Sequence, residues 1–513
     1  MEPLNYNKIV MKHFKHPKFM GKIENADSVG KAGNPTCLLP DEKIWINNEL
    51  KPIKEAKASE KVISHEAKEE SIMQAFKRGY NGKIKVLKNC LGNIKITPEH
   101  LIYAIKVPKT NKYLRNKNKK DLVPAWYHAE DLEKRDIVLY PVLEDENDMD
   151  YLEVNIPKLK FDYRSKDIPN KVSIDSNLLK LFGYFLAEGH IREKITHVNI
   201  SFALHIKEKD IAEDIQKIIK NIFGLEVKIK EMPKKHGLIV TLNSVKVARW
   251  FKNLFGNGAK NKKIPEIFMT LPPEKQKALI YGFWKGDGYV NLNRNGPRAG
   301  YSTISYNLAQ QIKILLLRQK IVPSYYEEKA KIVRGVNHQK SYRIHVGQRE
   351  SLVKLCKILD LDYNPKSYGS VDSWFMGNYL YTPITKIEKL EYSGEVYNLE
   401  VENSHSFLTE AFTVHNCGDV MKVYLKIGKN KKGDEIIKDI KFQTFGCVAA
   451  IASTDALCSI AKGKTIREAE KIKKSDIIKK LKDLPKIKIH CSVLGAETLE
   501  DALKNYKKNE GKK

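Results

Sequence analysis

The spacing of apolar and polar residues predicts different secondary structure in different parts of the chain. From Cys417 onward, CGDVMKVYLKIGKNKKGDEIIKDIKFQTFGC predicts two strands joined by a turn at KNKKGDE. The stretches VAAIASTDALCSIAKGKTIREAEKI and AETLEDALKNYKK then carry apolar residues at helical spacing. The end of the chain is therefore predicted to be an α+β unit.

Near the start, the pattern changes abruptly between two neighbouring residues. NYNKIVMKHFKHPKFMGKIENADSVGKAGNPT ends at Thr36 in a Gly-Asn-Pro turn, whereas CLLPDEKIWINNELKPIKE, from Cys37, predicts short alternating strands. If residues 37–416 are removed, GNPT meets CGDVMK and the two outer segments form one continuous α+β domain. The sequence thus predicts that residues 37–416 interrupt another protein.

Two segments inside the interrupting part share one pattern. LFGYFLAEG at 181–189 and IYGFWKGDG at 280–288 both have glycine at the third and ninth positions and an acid at the eighth. Small residues at helical spacing let two helices approach closely. We therefore expect Glu188 and Asp287 side by side at helix ends, where paired carboxylates bind divalent metal and activate water for phosphodiester hydrolysis.

Composition narrows the class of protein. The chain has 42% apolar and 30% charged residues, and no apolar run approaches the roughly 20 residues that span a membrane. Its start, MEPLNYNKIVMKHFKHPK, lacks the apolar core and cleavage site of a secretion signal, so a cytoplasmic location without a membrane partner is expected. A length of 513 residues predicts about three domains.

Cysteine count and charge add two further expectations. Seven cysteines, an odd number, favour reactive or metal-bound thiols over a disulfide framework. The net charge of +29 suggests nucleic-acid binding, yet the outer segments are, per residue, more basic than residues 37–416. Charge alone therefore favours a lysine-rich solvated surface.

The residues at the two junctions can cut and rejoin the backbone. The Cys37 thiol can attack the carbonyl of Thr36 and convert the amide to a thioester, and Cys417 can then accept the acyl group. The Asn416 side-chain nitrogen can attack its own carbonyl and release the segment, after which the Cys417 amine restores an amide. These steps need proton transfer and a polarised amide, and no cofactor or energy source.

The order of these motifs resembles two known families. The outer segments resemble the NifU/IscU iron–sulfur cluster assembly scaffolds in GNPT joined to CGDV, in KFQTFGCVAAIAS and in LPKIKIHCSVL. The inner 380 residues resemble an intein, a self-excising segment, from CLLPDEKI to VHN. The resemblance implies an all-β Hint splicing domain inserted into an α+β scaffold.

The intein resemblance assigns helpers to the splicing steps. ITPEH matches the motif in which Thr97 and His100 act on the first scissile amide, and VYNLEVENSHSFL nominates His405 near the second junction. His415 would assist Asn416. An isolated histidine is usually just hydrogen-bonded, and TPEH is also an ordinary helix start, but the ordered set favours splicing.

One position departs from the intein pattern. Asn398 stands where the family often has Asp. Because an amide cannot act as a carboxylate base, the control of the first or second splicing step is expected to differ.

The repeated glycine segments resemble the two-copy LAGLIDADG homing endonucleases that reside within inteins. This resemblance implies an α/β domain that cuts double-stranded DNA with Mg²⁺, with catalytic Glu188 and Asp287. NKKIP points to Lys263, or its neighbour Lys262, as a charge stabiliser, and GYSTISYNLAQQIKILLL matches a later stretch of the second half. Glu188 replaces the more usual Asp, and the alternative is a fold retained without cutting.

In the outer domain, three cysteines and two neighbouring polar residues form a candidate metal site. They are Cys417, Asp419, Cys447, His490 and Cys491. Three thiolates with a carboxylate or imidazole can hold a [2Fe–2S] cluster or a tetrahedral Zn²⁺ ion, so a closed structural zinc site is the alternative. The scaffold resemblance implies a cysteine desulfurase and apo iron–sulfur proteins as partners. Cys90, Cys356 and Cys458 are expected in the core.

These interpretations define predicted domain boundaries. They are scaffold segments at 1–36 and 417–513, splicing-domain segments at 37–170 and 371–416, and the endonuclease at 171–370. The unspliced chain is expected to be a poor scaffold, since Cys417 is far in sequence from GNPT. The competing hypothesis is a non-splicing fusion of a DNA-binding domain with a structural zinc-binding scaffold.

Overall fold

The computed structural model describes most of the chain. The described ranges are 6–32, 36–107, 122–144, 146–156, 166–194, 197–293, 296–333, 335–367, 372–415, 419–484 and 489–510. At His490 and Cys491 only the backbone is described.

Helices and strands alternate unevenly along these ranges. The helices are α1 Lys8–Lys15, α2 Ser176–Glu188, α3 Lys209–Phe223, α4 Val245–Phe255, α5 Glu266–Met269, α6 Pro273–Asp287, α7 Tyr306–Arg318, α8 Arg349–Ile358, α9 Val448–Ala461, α10 Ile466–Ala469, α11 Lys474–Lys480 and α12 Ile489–Glu510. The strands are β1 Ser28–Ala32, β2 Lys43–Ile46, β3 Glu49–Pro52, β4 Lys61–Ile63, β5 Glu69–Lys88, β6 Asn93–Ile96, β7 Leu101–Ile105, β8 Ala125–His128, β9 Ile137–Pro141, β10 Tyr151–Glu153, β11 Lys171–Ser173, β12 Gly189–Lys194, β13 His197–His205, β14 Lys228–Met232, β15 Gly237–Leu242, β16 Tyr289–Asn291, β17 Arg298–Thr303, β18 Ser324–Glu328, β19 Lys331–Val333, β20 Val336–His338, β21 Ser341–Val346, β22 Trp374–Met376, β23 Tyr379–Pro383, β24 Lys386–Val401, β25 Ser406–Leu408, β26 Thr413–His415, β27 Val420–Lys429 and β28 Glu435–Phe445.

The two outer segments share one sheet and one core. The sheet has the order β1-β27-β28, and antiparallel pairing sets Ala32 opposite Met421. The predicted turn between β27 and β28 closes around Asn430, whose side-chain oxygen accepts hydrogen bonds from the backbone N–H groups of Lys432 and Asp434. Helices α9 and α12 pack against the sheet, α1 packs against α9, and α11 packs against α9 and α12. Val10 of α1 lies in the same hydrophobic cluster as the strand residues. The outer segments are therefore already packed together in the unspliced chain.

Strands from the beginning and the end of residues 37–416 together form two further sheets. One has the order β24-β5-β4-β2-β3, and the other the order β22-β23-β9-β7-β26-β25. The long strands β5 and β24 pair antiparallel along most of their length. Leu38 exchanges two backbone hydrogen bonds, both of 2.8 Å, with Tyr397 on β24. This pairing brings the start of the inner part against residues close to its end.

Between these sheets the chain repeats one topology. Each copy begins with a helix, α2 or α6, and continues through a sheet in which the third and fourth strands exchange places, β12-β13-β15-β14 or β16-β17-β21-β18. The helices α2 and α6 cross at glycine, because a methyl group added to Gly183 would collide with the backbone of Leu279 and Gly282. The predicted close approach of the two glycine segments is confirmed.

Helix α7 of the second copy also contacts Glu410, in the connection between β25 and β26, and Leu91, between β5 and β6. Gln310 Nε2 donates to Glu410 Oε1 at 2.6 Å, and the Tyr306 hydroxyl donates to Glu410 Oε2 at 3.0 Å. Lys313 Nζ donates to the carbonyl oxygens of Leu91 at 3.2 Å and Glu410 at 3.0 Å. Buried polar contacts therefore join the repeated part to the segment leading into β26.

The chain is a mixed α/β protein with several sheets, as the coarse fold prediction states. The boundaries at 170 and 370 stay predictions, and β10 pairs with β11 across the first of them. Within the ranges given above, no helix is both long and apolar enough to cross a bilayer.

Candidate functional site

The peptide bond between Thr36 and Cys37 is buried and hydrogen-bonded. Thr97, directly after β6, accepts a hydrogen bond on its hydroxyl oxygen from the Cys37 N–H at 2.9 Å. The backbone N–H of Thr97 donates to the Cys37 carbonyl oxygen at 3.0 Å. Cys37 is fully buried and Thr36 is 4% exposed. The structure thus brings together two residues that the sequence places sixty positions apart.

Asn398 contacts the other side of the same peptide bond. Its Nδ2 donates to the Thr36 carbonyl oxygen at 2.7 Å and lies 3.2 Å from the Thr36 hydroxyl oxygen. Its Oδ1 accepts from the backbone N–H of Leu399 at 2.8 Å. Sequence reasoning treated Asn398 only as a missing base, whereas the structure makes it a donor to the Thr36 carbonyl oxygen.

The thiol of Cys37 lies in a low-dielectric environment that disfavours its ionised form. Burial raises the pKa of Cys37 to about 12. The guanidinium of Arg78 on β5 lies beside the thiol and opposes that shift. Arg78 was missed in the sequence because FKRGYNGK carries no motif.

His100 connects the two ends of the inner part. Its ring is fully buried and faces the backbone of both Cys37 and His415, and burial lowers its pKa to about 3. The His100 backbone N–H donates to the Thr97 carbonyl at 3.1 Å, which fixes the ring's position relative to the first junction. A neutral imidazole at this place can accept or pass on a proton at either junction.

The other two predicted histidines lie together before the second junction. The rings of His405 and His415 have centroids 6.3 Å apart, and Trp126 packs edge-on against His415 at 4.8 Å. His405 Nδ1 lies 3.1 Å from Glu400 Oε1. Glu400 is a further residue that sequence reasoning missed. Asn416 and Cys417 lie outside the described residues.

Glu188 and Asp287 end the two glycine-packed helices α2 and α6. Burial, followed by the charge of Asp287, raises the pKa of Glu188 to about 7, and burial also raises the pKa of Asp287. Glu188 is half-buried and Asp287 reaches solvent. Two neighbouring carboxylates with raised pKa values form a place where a divalent cation would favour both charged forms. The pair therefore offers the oxygen ligands that Mg²⁺ prefers.

Lys262, and not Lys263, lies beside this pair. Lys262 Nζ donates to the carbonyl oxygens of Phe185, Leu186 and Ala187 at 2.9, 2.9 and 3.0 Å. Burial lowers its pKa to about 8, opposed by the charges of Asp287 and Glu188. Lys263, the residue predicted first, is half exposed with its Nζ 3.9 Å from Glu49. Neighbouring side chains in this irregular segment have different environments, so spacing alone could not choose between them.

The candidate metal site of the outer domain is described only in part. The backbone N–H of Cys447 donates to Asp419 Oδ1 at 3.1 Å, and Cys447 is the N-cap of α9. Positions 490 and 491 lie in the first turn of α12, and Cys417 lies outside the described residues. Among the described side chains, no group of three or more His, Cys, Asp and Glu is placed to hold a metal ion. Cys356 and Cys458 are buried, as expected, and Cys90 is half-buried, with its sulfur 3.2 Å from the Thr382 hydroxyl.

Two known protein families match this chain, one over most of the inner residues and the other over the C-terminal segment. A family profile described as the intein splicing domain matches residues 40–416. A second, described as the NifU-like N terminal domain, matches residues 398–513. The two matches overlap between residues 398 and 416.

Similar proteins fall into corresponding groups. An uncharacterized protein of Methanocaldococcus jannaschii is 30% identical over 76% of this chain and 51% of its own length. The ATP-dependent DNA helicase Hel308 of Thermococcus kodakarensis is 25% identical over 75% of this chain and 36% of its own length. The iron-sulfur cluster assembly scaffold protein IscU 1 of Archaeoglobus fulgidus is 48% identical over 96 residues, which are 19% of this chain and 60% of that protein. The chain therefore spans only part of each of these relatives.

Among solved structures, the homing endonuclease I-DmoI in complex with DNA and Mn aligns with 37% of this chain and 99% of its own. The identity is 13% and the TM-score 0.28. Likeness at this level does not identify an activity.

Proposed function

The chain belongs to the intein splicing-domain family, and we propose that it is a self-splicing precursor that excises residues 37–416 and joins Thr36 to Cys417. The observation that carries this proposal is the buried Thr36–Cys37 peptide, whose N–H is bonded to Thr97 and whose carbonyl is bonded to Asn398. A peptide bond held at both polar ends beside a thiol is arranged for acyl transfer.

In the proposed sequence of steps, Cys37 attacks Thr36 and the thioester passes to Cys417. Thr97 and His100 assist at the first junction by contacting the Cys37 amide and by moving protons. His405 and His415 lie immediately before Asn416 and are assigned to its cyclisation. The closeness of His100 to the backbone of His415 supports a single site that serves both junctions.

Mass spectrometry of the expressed chain tests splicing. The expected products are residues 37–416 and a ligated chain of 1–36 with 417–513, and a Cys37→Ala, Asn416→Ala variant is expected to stay intact. A persistent intact chain from the unmutated sequence would instead support the non-splicing fusion.

For the ligated product, we propose the role of a scaffold on which iron–sulfur clusters are assembled. The NifU-like match and the 48% identity to a scaffold protein support this assignment. Cys417, Asp419, Cys447, His490 and Cys491 are the proposed ligands of the cluster, with zinc as the competing occupant. A cysteine desulfurase and apo iron–sulfur proteins are the proposed partners.

Reconstitution with iron and sulfide tests the scaffold role. Visible absorption of the spliced product is expected to show a cluster, whereas the Cys37→Ala, Asn416→Ala precursor is expected to load poorly because Cys417 is still attached to the inner segment. Equal loading of both would contradict the proposed dependence on splicing.

For the excised segment, we propose site-specific cleavage of double-stranded DNA. The repeated topology and the Glu188–Asp287 pair with Lys262 support this. Bound Mg²⁺ would supply a Lewis acid and a bound water for hydrolysis. Glu188 and Asp287 would hold the ion, and Lys262 would stabilise charge next to it.

Cleavage of a plasmid carrying the uninterrupted coding sequence around the Thr36–Cys417 junction, with Mg²⁺, tests the endonuclease. Asp287→Asn and Lys262→Met are expected to abolish or strongly reduce cutting, while Lys263→Met serves as the matched control. Splicing by all three variants should persist. Plasmid cleavage by the Asp287→Asn variant would contradict the assignment of Asp287 to the cleavage site.

A further inference from the structure

We propose that the side-chain amide of Asn398 is a catalytic hydrogen-bond donor, which stabilises the oxyanion that forms on Thr36 when Cys37 attacks it. This inference rests on the proposed splicing function. It assigns to Asn398 a role in the first step that differs from that of a carboxylate base.

The orientation of the amide is fixed by its second hydrogen bond. Asn398 Oδ1 accepts from the Leu399 N–H at 2.8 Å, so the NH₂ group must point the other way, towards Thr36. There Nδ2 lies 2.7 Å from the carbonyl oxygen. Since Asn398 belongs to β24, which is paired along β5, the donor is held on a rigid element.

The environment makes this hydrogen bond strong in the transition state. Asn398 is 2% exposed and Thr36 is 4% exposed, so water scarcely competes for the carbonyl oxygen. A donor aimed at an oxygen that becomes negative gains strength in a low-dielectric site, whereas it gains less with the neutral carbonyl. The gain is therefore specific to the reaction.

The step is an isomerisation. The Cys37 sulfur forms a bond to the Thr36 carbonyl carbon, and the C=O electrons move onto the oxygen that faces Asn398. When the carbonyl reforms, the bond from that carbon to the Cys37 nitrogen breaks. The proton lost from the thiol is balanced by the proton gained on the nitrogen, so no oxidant, reductant or co-reactant is consumed.

An aspartate here would act differently. An ionised carboxylate has no proton to donate and would place negative charge against the developing oxyanion, whereas a protonated one could donate. Asn and Asp at position 398 are thus distinguishable by the pH dependence of the first step.

The experiment isolates that step in the full chain carrying Asn416→Ala and Cys417→Ala. Dithiothreitol then releases residues 1–36 only after the thioester forms, and the rate is followed by mass spectrometry. Asn398→Ala is expected to slow release about 100-fold, the usual effect of removing one oxyanion donor. Asn398→Asp is expected to be slow at pH 8 and nearly independent of pH, because the gain in protonated Asp as the pH falls is offset by the loss of Cys37 thiolate, whereas the parent rate rises with pH.

Two controls separate catalysis from folding. Asn89→Ala removes another buried amide whose Nδ2 donates to a backbone carbonyl, that of Ala411, at 2.8 Å, and should leave release within about threefold. In a Cys37→Ala chain with Asn416 and Cys417 intact, adding Asn398→Ala should leave cleavage after Asn416 unchanged.

Each other outcome overturns the inference in a recognisable way. If Asn398→Ala released residues 1–36 at the parent rate, or if Asn398→Asp released them faster than the parent at pH 8, Asn398 would not be an oxyanion donor. Loss of cleavage after Asn416 would make Asn398 a structural residue. A parent chain that releases nothing would instead refute splicing itself.

Discussion

Thr97 and Cys37 exchange two hydrogen bonds, one from the Cys37 N–H to the Thr97 hydroxyl at 2.9 Å and one from the Thr97 N–H to the Cys37 carbonyl at 3.0 Å. The first engages the nitrogen that would leave Thr36 in the proposed splicing step. A hydroxyl both accepts and donates, so it can follow that nitrogen as it changes from a planar amide to an amine. The pair thus combines positioning with a route for stabilising the leaving group.

Replacing Thr97 should therefore slow the first splicing step. Thr97→Val keeps the shape but leaves the Cys37 N–H without this acceptor, and a lost buried hydrogen bond of about 1–3 kcal/mol corresponds to a slowing of about 5- to 150-fold. Thr97→Ser should retain most of the rate. Release of residues 1–36 by dithiothreitol measures both, and equal rates for Val and Ser would contradict the role of the hydroxyl.

Arg78 should set the pH dependence of the same step. Burial raises the pKa of Cys37 to about 12, so the thiolate fraction, and with it the rate of thioester formation, should rise with pH across the range 7–9. Arg78 opposes that rise in pKa, so Arg78→Met should slow the step by about tenfold at every pH in that range. A pH-rate profile of dithiothreitol release checks this, and a variant that matches the parent would exclude Arg78.

Packing of the outer sheet should control the transfer to Cys417. A side chain at Gly30 on β1 would collide with the backbone of Thr498 and Ala502 on α12. Gly30→Val should therefore loosen the β1–β27 pairing that holds the junctions near each other and reduce spliced product, while dithiothreitol release persists. Gly79→Val, at a glycine with open space around it, is the matched control. Full splicing by Gly30→Val would show that the sheet is not needed.

The contacts of α7 with Leu91 and Glu410 should stabilise the strands that precede the second junction. Lys313→Met leaves the carbonyl oxygens of Leu91 and Glu410 without their donor, at an expected cost of about 2 kcal/mol in the free energy of unfolding. Cleavage after Asn416 should slow as well, because Glu410 lies just before β26. Lys320→Met removes a partly exposed ion pair to Glu144, a 3.4 Å hydrogen bond to the Gly377 carbonyl oxygen and a contact with the Phe375 ring, and should have little effect because these groups stay accessible to water. Denaturant unfolding of both variants decides the matter.

Sequence reasoning found the parts of the site that local patterns encode. The repeated glycine spacing was sufficient to predict the packing of α2 against α6, because only small residues permit that approach. ITPEH likewise nominated Thr97 and His100; the structure places Thr97 against Cys37 and bonds the His100 N–H to Thr97. The hydrogen bond from Asn398 to Thr36 was not predicted. Whether a side-chain amide donates or accepts depends on which backbone atom it faces, and the sequence does not show this. Lys262 and Arg78 depend on side-chain direction and burial, which neither spacing nor composition records.

The register that sets Ala32 opposite Met421 also explains how the outer domain accommodates an insertion as long as residues 37–416. In the outer domain, all residues between β1 and β27 form one connection, and its two ends are adjacent because the two strands are paired. The entropy of closing a loop grows only with the logarithm of its length, so lengthening this connection costs the host little stability. A domain of any size could be inserted at this connection, provided that its two ends lie close together. In residues 37–416, the pairing of Leu38 with Tyr397 brings the first residues against a strand near the other end. The proposed excision would leave only residues 33–36 and 417–419 between the two strands.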